Sequence, residues 1–233
     1  HYYIAPQVWA WKENRVKAIK RDVDKMSVIL PFEKQFFEEK HQFPVHFVGH
    51  PLLDAVEAFQ AGSEEDFRNS NGLDPKKPII ALLPGSRKQE IRKMLTVMLQ
   101  SAKKFSNYQF VIAGAPGQEE AFYKPFLSND INVFWVYNQT YKLLSFSYAA
   151  LVTSGTATLE TALFEVPQVV CYKGNGVSYQ IAKRIVNLDY ISLVNLVLEK
   201  EVVTELIQSD CHANRVTQEL EAILHSKKRS FVL

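Results

Sequence analysis

The stretch PIIALLPGSRKQEIRKMLTVML, residues 78–99, decides the fold class. Its first part, PIIALL, is a short apolar run of the kind that forms a buried strand, and Pro84 and Gly85 end it. From Ile91 onward apolar residues recur on one stripe that continues to Phe105. This spacing predicts an amphipathic helix over residues 88–105, whose basic end complements the helix dipole. The stretch therefore predicts a strand, a tight turn and a helix.

The same alternation of short apolar runs and amphipathic segments continues along the chain. Four more runs are bounded by Gly, Pro, Ser or Asn: YQFVIA (108–113), INVFWV (131–136), AALVT (149–153) and PQVVCY (167–172). Strands that alternate with helices in this way form βαβ units with a parallel sheet. We therefore expect an α/β protein of Rossmann-like architecture.

The first part of the chain has the same pattern on a smaller scale. Strand-like runs are YYIA (2–5), MSVIL (26–30) and VHFVG (45–49), and helical spacing lies between them, through Val16 and Ile19 and in EKQFFEEK (33–40). Three strands make about half of a doubly wound sheet, so further strands are expected upstream of His1. The polar stretch 60–77 separates the parts, which predicts domains at 1–57 and 58–233.

Composition excludes several classes of protein. The chain has 233 residues, 47% of them hydrophobic, and its 27 Lys and Arg nearly balance 25 Asp and Glu, so no nucleic-acid partner is indicated. Cys171 and Cys211 lie far apart without a CxxC motif, which argues against a disulfide framework and a zinc site. No apolar run approaches the length of a membrane span. A soluble protein of a reducing cytosol is expected.

The turn Gly85-Ser86-Arg87 follows the first strand of the large domain. Open α/β sheets bind ligands at the carboxyl ends of their strands. A glycine lets the backbone approach a ligand, the helix start presents unpaired N–H groups, and Arg87 offers a forked donor for phosphate. A diphosphate site is one interpretation. An ordinary turn with Ser86 as a cap and Arg87 in solvent fits the residues equally well.

A second candidate turn lies in LVTSGTATLETAL (151–163), where a strand again leads into a helix. Ser154, Gly155, Thr156 and Thr158 would place a second helix start at the same sheet edge, so both starts could bind one anion. Glu160 lies about one turn into the helix and could reach back to accept from a ribose diol. Alternatively Glu160 is an acid that favours the helix dipole.

Lys173 and Asn175 follow another strand and are candidates to contact a ligand at the same edge. The sequence KGNG (173–176) reads equally well as a plain turn. Asn195 lies in an apolar segment and, judged by its neighbours alone, is interpreted as a buried or capping amide.

Three aromatic side chains near the start of the chain also have two interpretations. Trp9 and Trp11 stand beside basic residues, a pairing found at membrane surfaces, although core packing is expected for at least one of them. His50 precedes Pro51 and is interpreted as support for a turn rather than as a catalytic group.

Several motifs in one order resemble the lipid-A-disaccharide synthases, two-domain glycosyltransferases of the GT-B fold, over essentially the whole chain. They are APQVWAW (5–11), LPFE (30–33), GHPLLD (49–54), LLPGSRKQEI (82–91), SGTATLETAL (154–163) and DYISLVNL (189–196). The resemblance implies transfer of a diacylglucosamine from UDP to a diacylglucosamine 1-phosphate, with inversion and without a metal.

The resemblance also implies roles for individual residues. Arg87 corresponds to an arginine on the UDP diphosphate, residues 154–158 to a phosphate turn and Glu160 to a ribose ligand, and Asn195 falls in a segment near the donor. The family's general base is expected upstream of His1, so the chain alone should be inactive or nearly so. The resemblance further implies peripheral attachment to the cytoplasmic face of the inner membrane of a Gram-negative bacterium and allows a homodimer.

Three other functions compete with this interpretation. A UDP-N-acetylglucosamine epimerase shares the architecture but usually has a glycine pair followed by adjacent glutamates where this chain has SGTATLET. A nicotinamide-dependent oxidoreductase needs a G-x-G-x-x-G run, which the sequence lacks. A nucleotide-binding module without catalysis remains the third alternative.

Overall fold

The computed structural model describes residues 1–127, 132–174 and 190–225. Contacts within the chain divide it into two compact units. The first unit comprises His1–Ala58, and the second contains Phe59–Gly174 together with residues 190–225. Each unit is built around a parallel sheet.

The second unit contains a six-stranded parallel sheet with the order β6-β5-β4-β7-β8-β9. Its strands are β4 (Ile79–Leu83), β5 (Gln109–Gly114), β6 (Val133–Tyr137), β7 (Ser147–Thr153), β8 (Gln168–Tyr172) and β9 (Thr204–Ile207). All residues of β4 and β5 are buried, as expected for the middle of a parallel sheet that is covered on both faces. The five strands that the sequence predicts here are confirmed.

The strand β9 was not predicted from the sequence. It has four residues, TELI, and only Leu206 of them is buried. It pairs with β8 on one side and stands at the end of the strand order, so its side chains are not enclosed like those of β4. A short edge strand with polar residues lacks the continuous apolar run on which the prediction depends.

Helices cover both faces of this sheet, because alternate residues of each strand point to opposite sides. In β4, Ile80 and Leu82 contribute to one apolar cluster and Ile79, Ala81 and Leu83 to another. The helices are α5 (Glu64–Ser70), α6 (Lys88–Ala102), α7 (Glu120–Tyr123), α8 (Thr140–Ser145), α9 (Thr156–Leu163), α10 (Leu193–Leu198) and α11 (Ala213–His225).

The helix α6 confirms the amphipathic pattern of the opening stretch. Ile91, Met94, Leu95 and Met98 are fully buried against the sheet, beside apolar residues of α11. The helix ends at Ala102 rather than at the predicted Phe105. Residues 103–105 continue as tighter turns, in which the Phe105 N–H donates to the Ala102 carbonyl at 3.0 Å.

The first unit contains three parallel strands in the order β1-β2-β3, and each strand lies within a run predicted from the sequence. The strands are β1 (Tyr2–Tyr3), β2 (Met26–Val28) and β3 (His46–Phe47), and the helices are α1 (Val8–Trp11), α2 (Val16–Asp22), α3 (Pro31–Gln35) and α4 (Pro51–Glu57). A π-helical turn, Phe36–Lys40, continues α3. None of the helices among the described residues is long and apolar enough to cross a bilayer.

Candidate functional site

The two turns singled out from the sequence line one cavity of about 260 Å³. Gly85 and Ser86, after β4, lie on it together with Ser154, Gly155 and Thr156, after β7. These strands are neighbours, but the chain leaves β4 toward β5 and leaves β7 toward β8, in opposite directions along the sheet. The cavity therefore lies at a topological switch point, where open α/β sheets bind ligands.

The first turn depends on Gly85 and on an acidic side chain that the sequence analysis missed. Gly85 has a φ of +97°, a conformation that favours glycine. The Ser86 N–H donates to Oε2 of Glu90 at 3.3 Å, and Glu90 also lines the cavity. An acid at the third position of a helix commonly reaches back to cap its start, and this spacing from Arg87 was the signal available in the sequence.

The Arg87 side chain does not line this cavity. Arg87 is the residue before the first turn of α6, and its exposed side chain makes no hydrogen bond or ion pair with the rest of the described chain. The exposed side chain agrees with the interpretation in which Arg87 lies in solvent. The same interpretation made Ser86 the cap, but Ser86 makes no side-chain cap, and its N–H donates to Glu90 instead.

The second turn is held open by its own hydrogen bonds. Gly155 has a φ of +150° and a ψ of −162°, which is accessible almost only to glycine. The Thr158 hydroxyl donates to the Gly155 carbonyl at 2.8 Å and is fully buried, so Thr158 shapes the turn and does not line the cavity. The Ser154 hydroxyl donates to the Ile191 carbonyl at 2.8 Å.

Glu160 connects this cavity to a second one of about 540 Å³. Phe59, Asn138 and Tyr141 also line the second cavity. The Tyr141 hydroxyl donates to Oε1 of Glu160 at 3.0 Å. Burial, the charge of Glu160 and this hydrogen bond raise the pKa of Tyr141 to about 12, so the hydroxyl stays a donor at neutral pH. Oε2 of Glu160 has no partner among the described residues.

A buried polar network supports the second turn from behind. Glu205 accepts from the N–H groups of Ile191 and Ser192, both at 2.9 Å, and from the Ser192 hydroxyl at 2.7 Å. Asn195 donates to the same carboxylate at 2.9 Å. The Ile191 carbonyl accepts a hydrogen bond from the Ser154 hydroxyl, so the network connects α10 and β9 to the cavity.

Asn195 is completely buried and uses all its amide groups inside the protein. Its Oδ1 accepts from the N–H groups of Val202 and Val203, and its Nδ2 donates to the Val203 carbonyl as well as to Glu205. This matches the interpretation as a buried amide that the sequence left open. Asn195 holds the segment that supports the cavity and is not among the residues that line it.

Other predicted residues have local roles. The Lys173 ammonium donates to the Cys211 carbonyl at 3.3 Å and does not line either cavity, and Asn175 lies outside the described residues. His50 caps α4 by accepting from the Leu52 N–H at 3.2 Å, as the turn interpretation predicts. The Trp9 indole donates to Glu33 at 3.0 Å. The side chain of Trp11 lies outside what the structure describes.

The two cysteines are free and buried in the structure. A hydrogen bond with Cys211 and burial raise the pKa of the Cys171 thiol. Within residues 1–127, 132–174 and 190–225, no three His, Cys, Asp or Glu side chains come close enough to hold a metal ion.

The second unit is a doubly wound parallel sheet with paired turns at its switch point, and another parallel-sheet unit precedes it in the chain. These features define an α/β protein of the GT-B type. A family model described as Lipid-A-disaccharide synthetase matches residues 1–231. The chain therefore belongs to the lipid-A-disaccharide synthetase family.

Individual proteins agree with this assignment. A Lipid-A-disaccharide synthase of Geobacter sulfurreducens is 41% identical over 94% of this chain, and one of Coxiella burnetii is 38% identical over 99%. The chain spans 58% and 62% of the lengths of these relatives. Among solved structures, UDP-GlcNAc 2-epimerase from Neisseria meningitidis bound to UDP-GlcNAc superposes with a TM-score of 0.64 at 14% identity, over 89% of this chain and 54% of that one. This last likeness shows the fold alone.

Proposed function

We propose that the second unit binds a UDP-sugar, and that the whole protein moves 2,3-diacylglucosamine from UDP to 2,3-diacylglucosamine 1-phosphate. The observation that carries this proposal is the convergence of the Gly85 and Gly155 turns on one cavity. Backbone N–H groups at two helix starts favour an anion such as a diphosphate. Family membership supports the choice of substrates.

The two connected cavities suggest how the nucleotide lies. The diphosphate would occupy the cavity between the turns, and the nucleoside would extend into the cavity of Tyr141 and Phe59. Glu160, at the junction, would accept from the ribose hydroxyls through Oε2 while Tyr141 holds Oε1 in place. A ribose diol is commonly bound by a carboxylate in this way.

Catalysis in this proposal consists mainly of stabilising the leaving UDP. Negative charge develops on the diphosphate as the sugar bond breaks, and fixed N–H donors and a guanidinium stabilise it without a metal. Arg87 has an exposed, unpaired guanidinium beside the cavity and would close over the diphosphate. Glu90 would have to release the Ser86 N–H, because its carboxylate repels the same phosphate.

The acceptor hydroxyl attacks the anomeric carbon from the opposite face, which inverts that centre, and a general base takes its proton. We assign this base to a part of the protein upstream of His1. We also propose attachment to the cytoplasmic face of the inner membrane and activity as a homodimer, without a cofactor.

The first test is calorimetric titration of UDP into the chain and into Arg87→Ala. Loss of one charged phosphate contact should weaken binding by about 1.5 kcal/mol, or roughly tenfold. The control is Arg15→Ala, which removes an exposed arginine of the other unit. The assignment of Arg87 would be contradicted if the parent chain does not bind UDP, or if Arg87→Ala and Arg15→Ala bind UDP with equal affinity.

The second test concerns transfer itself. The chain alone should show no transfer, whereas the chain extended by the segments that its relatives carry outside the matched region should form the disaccharide, also in the presence of EDTA. Turnover by the chain alone would contradict the assignment of the base. An extended protein that binds UDP without turnover would indicate a nucleotide-binding module, and one that epimerises UDP-N-acetylglucosamine would indicate the other enzyme class.

A further inference from the structure

A cavity of about 550 Å³ in the first unit has four basic side chains among its eight lining residues. One side of it is formed by residues 13–20, the segment that begins before α2 and continues into it. The other side is formed by residues 40–42, at the end of the π-helical turn. Its charged or titratable side chains are Lys17, Lys20, Lys40, His41 and Glu13. We call this feature the basic cavity.

The single carboxylate of the basic cavity does not balance its three ammonium groups. Glu13 lies 2.9 Å from the Lys40 ammonium and 3.0 Å from Nε2 of His41. The hydrogen bond from Lys40 and the neighbouring charges keep the pKa of Glu13 below its usual value, so Glu13 is ionised at neutral pH. Lys40 and His41 therefore have an acidic partner, and two lysines do not.

Both remaining lysines have N–H groups to offer. Lys20 donates one hydrogen bond, to the His41 carbonyl at 2.8 Å, and this contact leaves two ammonium N–H groups and the full positive charge. Lys17 is exposed, and its side chain has no hydrogen bond or ion pair with other described residues. The nearest acid along α2, Asp22, is bound to Arg21 at 2.6 Å and does not line the cavity.

The basic cavity is separate from the nucleotide site proposed above. It is lined only by residues of the first unit, and both cavities of the candidate site are lined only by residues of the second. The basic cavity therefore belongs to a part of the protein that the proposed nucleotide site does not use.

We propose that the basic cavity binds a phosphate group, carried either by a lipid headgroup or by a free phosphate. Lys17 and Lys20 donate to the phosphate oxygens. Glu13 acts as an internal counter-charge, because its carboxylate occupies part of the same positive field. A bound phosphate supplies the negative charge that the two unpaired lysines lack.

The test is titration of inorganic phosphate into the chain, at constant ionic strength with chloride as the balancing anion. The double variant Lys17→Gln/Lys20→Gln should bind phosphate about tenfold more weakly, because two charged donors are lost. Lys25→Gln, an exposed lysine that does not line the cavity, is the matched control and should bind like the parent chain.

Glu13→Gln separates a phosphate site from an ordinary ion-pair cluster. Removal of the Glu13 carboxylate should lower the dissociation constant for phosphate several-fold, because one screened charge repulsion is lost. If Glu13→Gln does not fold, as judged by circular dichroism, Lys17→Gln decides the question alone, since Lys17 has no internal partner to lose. An absence of phosphate binding, or an equal loss in Lys25→Gln, would overturn the proposal.

Vesicles identify the source of the phosphate. Flotation with phosphatidylglycerol vesicles that depends on Lys17 and Lys20, together with no flotation on phosphatidylcholine, indicates a lipid headgroup. Binding of inorganic phosphate without vesicle binding indicates a free phosphate. Vesicle binding that the double variant retains, with no phosphate binding, contradicts the proposal.

Discussion

Replacing Asn195 by alanine should lower the free energy of unfolding by about 3 kcal/mol, the largest effect that we expect from a single polar substitution in this chain. The amide makes four hydrogen bonds inside the protein, and its side chain is completely buried. Without it, the N–H groups of Val202 and Val203 lose their acceptor, and Glu205 loses a donor. Urea unfolding followed by circular dichroism measures the change.

The control for this prediction is Asn214→Ala. Asn214 is an exposed residue of α11 with no side-chain hydrogen bond among the described residues, so its removal should change stability by less than about 0.5 kcal/mol. If Asn195→Ala is as stable as this control, the network does not hold the segment. Asn195→Ala should also weaken UDP binding, because the network positions the carbonyl that Ser154 contacts.

Gly155→Ala should cost about 2 kcal/mol of stability and should weaken UDP binding by tenfold or more, an estimate from the strain of this backbone region. No described atom lies within 4 Å of the site of an added Cβ, so the expected cost comes from the backbone and not from a clash. At a φ of +150° and a ψ of −162°, a side chain forces the turn to rearrange. That turn lines the proposed diphosphate cavity.

Gly117→Ala provides a matched control on a neighbouring loop. Gly117 has no positive φ, and a Cβ added there also meets no described atom within 4 Å. It should therefore leave both stability and UDP affinity near the parent values. If calorimetry gives the same UDP affinity for Gly155→Ala and Gly117→Ala, the Gly155 turn tolerates a side chain and does not need its positive φ.

The two βα turns show what sequence reasoning could predict about the site. The prediction of strands β4 and β7 with a glycine turn after each was sufficient to place Gly85 and Gly155 at one sheet edge. Their side-by-side position depends on the strand order, which no local pattern contains. The structure confirms that β4 and β7 are neighbours and that both turns line one cavity.

The roles of the polar residues around these turns were less predictable. Glu90, rather than Ser86, caps the first turn, and Thr158 is buried under the second. Asn195 and Glu205 are ten residues apart in the sequence, and the turn of the chain from α10 back into β9 brings their side chains together. A side chain's partners depend on which elements pack against it, and periodicity carries no information about them.

The sequence by itself determined the fold class, the central strands and the two glycine turns. These depend on apolar runs and on backbone conformations, which are local properties of the chain. Only the tertiary structure decided that Arg87 does not line the cavity, that Asn195 is part of its support, and that two lysines of the basic cavity have no acidic partner among the described residues. Hydrogen bonding and charge balance are set by neighbours distant in sequence, and folding alone brings those neighbours together.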